Sequence, residues 1–270
     1  MPSYTLTTLS QDPEMHVPSA RFYGPTGPTA SLFFCVNQGY GLAGVYTLGL
    51  TTGSYSRVFS AATPQAVAMD GQASYISTGQ EPYEVLYGAD GLTGSHQVIH
   101  SSTAMVWDLA VDAAAGQLRF TEEYLVRTLP LTGGSPSTLA TFSYWMRELA
   151  VDPSTGDIWA HAQDIGGHYL LRMQDLSPWT YSVALATSSY IGGLAWSATH
   201  SGLVFTCGLS AAGVYSLSGG TATPVSISPA SAMTYSAWKA IAAADSGDLF
   251  LASLTFGTGE TASQIAWLRP

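Results

Sequence analysis

Charge is what this chain has least of. Only 10% of its 270 residues are Asp, Glu, Lys or Arg, with 8 cationic against 18 acidic side chains and a formal net charge of −10. So few cations, and no basic run, leave no counterion-releasing patch of the kind that nucleic acid or an anionic membrane surface needs, so neither partner is expected. No stretch of about 18 apolar residues is present, so no membrane span is expected either. Met1 is not followed by a charged n-region and an apolar h-region. A soluble protein is expected, cytoplasmic or secreted with its leader removed.

Reaction motifs are missing as well. The six histidines, His16, His96, His100, His161, His168 and His200, are dispersed along the chain. None falls in an H-x-E, H-E-x-x-H or Cys-x-x-Cys spacing, so no metal site is expected. No G-x-S-x-G elbow supports serine-hydrolase chemistry. Asparagine occurs once, at Asn37. No cofactor is expected, while a tightly bound small molecule or chromophore is compatible with the sequence.

What the chain does have is a recurring phrase: VAMD from Val67, LAVD from Leu109, LAVD from Leu149, LAWS from Leu194 and IAAA from Ile241, at intervals of 42, 40, 45 and 47 residues. A period of that length marks a propeller blade, a small sheet that buries its faces only when neighbours stack on it. Alternating apolar residues supply four strands per period, and Gly, Pro, Ser and Asp clusters supply the turns. Asp112, Asp152 and Asp245 are expected to cap such turns. The second strands align as SLFFCV, ASYIST, QLRFTEE, DIWAHAQ, GLVFTC and DLFLASL. The expected fold is therefore all-β, a six-bladed β-propeller with four-stranded blades near residues 14–60, 61–102, 103–143, 144–188, 189–230 and 231–270 plus 1–13. The last repeat ends after its third strand. The segment Tyr4 to Leu9, YTLTTL, matches the outer strands in pattern, so it is expected to complete the last blade and close the ring. Cys35 and Cys207 fall in the first and fifth repeats, too far apart for a bridge, and read as two buried thiols.

The segments LAVDAAAGQLRFTEE and LAVDPSTGDIWAHA resemble the YWTD repeat of low-density lipoprotein receptor propellers. The YWTD tetrad itself is replaced by RFTE, IWAH and VFTC, so the resemblance does not carry the receptors' ligand chemistry with it. The architecture is similar to the NHL, lactonase and strictosidine synthase propellers, which implies the fold and no particular activity.

Unusual residues gather just before the inner strands, at one mouth of the central channel. They are Trp107 and Asp108; Tyr144, Trp145, Arg147 and Glu148; Tyr190; and Tyr235, Trp238 and Lys239, with His16 near the first inner strand. One reading is a plug, with the aromatics packed for area and Arg147 paired to Glu148 or Asp108. The other is a cup for one small molecule or carbohydrate, an aromatic wall with a few orienting polar groups. Because the phrase repeats and the mouth residues do not, one asymmetric pocket is expected rather than one sugar site per blade, although a multivalent lectin remains an alternative. A further alternative is a metal-free lyase, cyclase or hydrolase similar to strictosidine synthase, with Glu148 or Asp108 as base in an aromatic pocket.

Overall fold

The computed structural model describes residues 3–12, 20–23, 31–36, 43–50, 52, 54–61, 63–71, 73–176, 178–207, 213–228, 237–244, 246–254 and 263–270; the side chains of 3–4, 6–12, 20–23, 31, 228, 237–239, 253–254 and 263–264 are not among what it describes. Strands form six antiparallel blades. Blade one is Ala20–Tyr23, Ser31–Val36, Gly44–Gly49 and Tyr55–Phe59, and blade two is Pro64–Asp70, Ala73–Thr78, Tyr83–Gly88 and Gln97–Ser102. Blade three is Val106–Asp112, Gln117–Glu122, Leu125–Pro130 and Ser137–Thr141, and blade four is Trp145–Val151, Ile158–Asp164, Gly167–Asp175 and Trp179–Thr187. Blade five is Ile191–Ser197, Gly202–Cys207, Gly213–Ser218 and Thr221–Pro224. Blade six takes Ala237–Ala243, Leu249–Leu254 and Ser263–Arg269 from the C-terminal end, and its outer strand, Ser3–Asp12, from the N-terminal end. That strand runs antiparallel to Ser263–Arg269 from Thr5 opposite Arg269 to Asp12 opposite Ser263. The short strand Ser226–Ser228, within the span expected for blade five, instead adds in parallel to its far edge.

The recurring phrase explains the centre. Inner strands touch one another in sequence around the ring, with that of blade six meeting that of blade one. The second residue of every phrase is alanine: Ala68, Ala110, Ala150, Ala195 and Ala242. All five line an axial cavity of about 190 Å³. Strands converging on one axis leave room for little more than a methyl group, which the sequence supplies in each repeat.

The core is a torus rather than a centre. Buried apolar side chains of the described residues fall into six clusters, one in each seam between neighbouring blades. Cys35 and Cys207 are buried among them. The turn aspartates behave as their positions demand. Asp112 Oδ1 accepts from the Ala115 amide at 3.1 Å while Oδ2 holds Arg119 at 2.7 Å. Asp152 Oδ1 accepts from both the amide and the hydroxyl of Ser154, at 2.9 and 2.6 Å. Burial raises its pKa, but these bonds and those from Thr155 outweigh it, so the carboxyl sits below its ordinary value. Asp245 lies outside the described residues.

Candidate functional site

One irregularity recurs at the start of the inner strands. In blades two to six the inner strand gains one residue on its neighbour: Pro64 to Ala66, Val106 to Asp108, Met146 to Leu149, Ile191 to Leu194 and Trp238 to Ala240. Such a bulge re-aims the side chains it carries, and bulges concentrate beside functional sites. Aligning the blades on their phrases puts Gln65, Trp107, Arg147, Gly192 and Lys239 at one equivalent position, followed by Ala66, Asp108, Glu148, Gly193 and Ala240 at the next. The residues read from sequence as loops before the inner strands are thus mostly in the strands, on these bulges.

The bulges of blades three and four face each other. The Arg147 guanidinium carbon stands 3.8 Å from the Trp107 ring centroid and 5.7 Å from that of Trp145. Trp145 is 50% exposed, and its Nε1 donates to Tyr124 Oη at 2.5 Å. The Arg147 carbonyl accepts from the buried Thr121 hydroxyl of blade three. These side chains wall a cleft of about 480 Å³ completed by Glu81, Tyr83, Thr103 to Met105 and Glu123.

Arg147 differs from the other arginines of these two blades. Arg119 holds Asp112, Arg127 holds Glu122 at 2.6 Å and Arg172 holds Asp157 at 2.6 Å. Among the described residues Arg147 has no carboxylate partner. Neither expected pairing is made. Asp108 is 3% exposed and accepts the Leu109 amide at Oδ1 and the Leu149 amide of blade four at Oδ2, each at 2.9 Å. It ties two inner strands together and is not placed as a base. Glu148 turns to the other side of blade four, where Oε2 meets His161 Nδ1 at 2.5 Å.

From there a chain continues: His161 Nε2 lies 3.0 Å from His168 Nδ1. Tyr190 stands edge-on to both imidazoles, at 5.4 Å from His168 and 6.3 Å from His161. Burial first, then the Glu148 carboxylate, push its phenol above the ordinary tyrosine pKa, with Arg147 opposing. Tyr190 therefore belongs to the seam between blades four and five, not to the cleft. Tyr144 packs against Tyr169 at 5.0 Å and is not among the cleft's lining residues either. Trp238 and Lys239 lie on the inner strand of blade six, but their side chains, like all of His16 and Tyr235, fall outside the described residues.

His161 and His168 read as unrelated in sequence. They meet because the blade-four hairpin registers Gln163 with His168 and His161 with Leu170, which puts the two histidines diagonally on one face. The signal was two histidines flanking one tight turn, D-I-G-G, but it needs the register to be read. Among the described residues no group of three His, Cys, Asp or Glu side chains is arranged to hold a metal.

No protein-family model matches the chain, and no curated protein does. Solved structures do. A gluconolactonase from Xanthomonas campestris superposes with a TM-score of 0.72 at 14% identity, covering 97% of this chain and 88% of that one. A catalytically inactive variant of virginiamycin B lyase from Staphylococcus aureus, with quinupristin, gives 0.62 at 12%, covering 98% and 99%. A chain of a nidogen/laminin complex gives 0.67 at 13%, covering 83% and 85%. At such identities the likeness is one of fold: this chain is a six-bladed β-propeller similar to both YWTD-type and lactonase-type propellers.

Proposed function

We propose that the protein binds one small anionic molecule in the cleft between the bulges of blades three and four, its flat or apolar face against Trp107 and Trp145 and its negative group on Arg147. The observation that carries this reading is the half-buried guanidinium of Arg147, held on an indole face and without a carboxylate partner among the described residues, in a chain whose neighbouring arginines all have one. A cation kept in place by stacking keeps its hydrogen-bond fork for a carboxylate or phosphate, and stacking on the indoles adds affinity. Glu81 and Glu123 on the rim suit the hydroxyl groups of a sugar acid. Structural neighbours that include a gluconolactonase and a lyase agree with a propeller that handles small molecules. A lectin with one site per blade is less well supported. Its contact residue should repeat, whereas the five equivalent bulge positions hold Gln, Trp, Arg, Gly and Lys.

The test is a tryptophan-fluorescence titration with paired probes, aromatic carboxylates and aldonic acids against their neutral amides and aldoses. Saturable quenching by the anionic members, weakened at least tenfold in Arg147→Gln and Trp145→Ala, is expected. Equal binding of the neutral members, or wild-type affinity in both variants, would remove the assignment.

A further inference from the structure

The opposite charges of the cleft between blades three and four are kept apart. Its lining holds one cation, Arg147, and two carboxylates, Glu81 and Glu123. Charges of opposite sign that share a cleft lower their energy by pairing, yet among the described residues none of these three is in an ion pair. Other carboxylates of blade three behave differently: Asp112 holds Arg119 and Glu122 holds Arg127.

Backbone bonds hold each carboxylate in its place. Glu123 sits in the turn between the second and third strands of blade three, at a φ of 48°, and its carbonyl accepts from the Met146 amide of blade four at 2.6 Å. Beside it the Tyr124 carbonyl accepts from the Phe142 amide at 2.8 Å. Glu81 lies in the corresponding turn of blade two, which Thr78 clamps: its hydroxyl donates to the Pro82 carbonyl at 3.1 Å and accepts from the Glu84 amide at 2.8 Å. Both side chains are exposed. Arg147 comes from blade four and is pinned 3.8 Å from the Trp107 ring centroid. A guest with a negative group alone would gain the guanidinium and meet two carboxylates, in a chain whose net charge is −10. A hydroxyl group would use the lone pairs of the rim but leave its charge. An ammonium group answers both, through charge-assisted bonds roughly twice as strong as neutral ones.

We propose that the guest of this cleft is a zwitterion, with its carboxylate on Arg147, an ammonium group at Glu81 and Glu123, and an aromatic or apolar body against Trp107 and Trp145. The inference rests on the Arg147 reading above and adds the second charge. Glu81 belongs to blade two and Arg147 to blade four, so the two charges of the guest belong at opposite ends of its body, as in an ω-amino acid. A cleft of about 480 Å³ has room for a molecule of that kind.

The probes are para-substituted benzenes of one shape, titrated into the full chain by calorimetry: 4-(aminomethyl)benzoate; 4-ethylbenzoate, which lacks the ammonium; and 4-(aminomethyl)benzamide, which lacks the carboxylate. The zwitterion should bind roughly threefold to tenfold more tightly than 4-ethylbenzoate, the range that two exposed ion pairs supply. That preference should shrink as salt is raised. It should vanish in the double variant Glu81→Gln, Glu123→Gln, with 4-ethylbenzoate gaining affinity and the zwitterion losing it. Because both side chains are exposed and outside any ion pair among the described residues, the double variant should melt with the wild type. Binding of 4-ethylbenzoate as tight as that of the zwitterion, or a preference that survives in the double variant, would overturn this inference and leave the Arg147 reading standing. Binding of the benzamide as tight as that of the aminomethylbenzoate would overturn the Arg147 reading and this one with it.

Discussion

Just before the repeat phrase, blade three carries Asp108 and blade four carries Glu148, on equivalent bulges. Asp108 reaches forward to the Leu149 amide of the next blade. Glu148 bends back to a histidine of its own blade. Blade five shows what the forward reach requires: a Cβ on Gly193 would come within 2.5 Å of the Ile241 amide nitrogen of blade six, so bulge and next inner strand already touch. The seam after a bulge can thus be closed by a carboxylate or by close backbone approach. Blade four does neither with Glu148, and its bulge carries the two features the fold does not require, Arg147 over Trp107 and Glu148 on His161. The same backbone position carries a tie between blades in one blade and a contact within the blade in the next.

The largest effect is expected where the ring itself is opened. Deleting residues 1–12 removes the outer strand of blade six, registered over seven residues with Ser263–Arg269. Ladder bonds worth about 1 kcal/mol each, set against a total stability of roughly 5 to 15 kcal/mol, predict aggregation or a collapse of the melting temperature. A monomeric truncation with an unchanged melt would refute the closure.

Next comes the architectural carboxylate. Asp108→Ala takes the acceptor from the Leu149 amide and loses the blade-to-blade tie, at about 1 to 3 kcal/mol per buried donor. For a chain of this size each kcal/mol lowers the melting temperature by roughly 2 to 4 °C, so calorimetry should show a drop of several degrees. A variant melting with the wild type would erase the distinction between the two bulges.

Acid should weaken the fold by a smaller amount. Burial lowers the pKa of His96, His100 and His200; in His96 the Gly94 carbonyl opposes it, and in His100 the Glu122 carboxylate opposes it while Arg127 adds to it. A histidine with a lowered folded pKa stabilises fully above the unfolded value near 6.5, and that stability drains as pH falls through 6.5 toward the folded value, because the unfolded chain binds the proton first. Melting temperatures should therefore decline from pH 7.5 to 5.5, and replacing His100, whose Nε2 is buried without a partner among the described residues, by Leu (His100→Leu) should flatten part of that slope. A slope untouched by the substitution would assign the acid loss elsewhere.

The ring was legible because its demands are local and repeat. Alanine at the axis, alternating strands, turn aspartates and a displaced N-terminal strand all leave marks in residue type and period. The aromatic and cationic surplus at the mouth was legible too, since Trp107, Trp145 and Arg147 stand out in a chain so poor in charge. The bulges were not, because one extra residue changes which face every following side chain takes without altering composition. The same blindness hid the histidine pair, whose seven-residue separation becomes contact only through the hairpin register, and it made Asp108 look available when its lone pairs hold two backbone amides.

His161→Thr tests most directly, by its melting temperature, whether the features peculiar to blade four stand outside what the fold requires. The account predicts a value within a few degrees of wild type, since Thr121 and Thr206 occupy the equivalent buried position on the second strands of blades three and five. A fall as large as that of Asp108→Ala would contradict it and make His161 part of the fold.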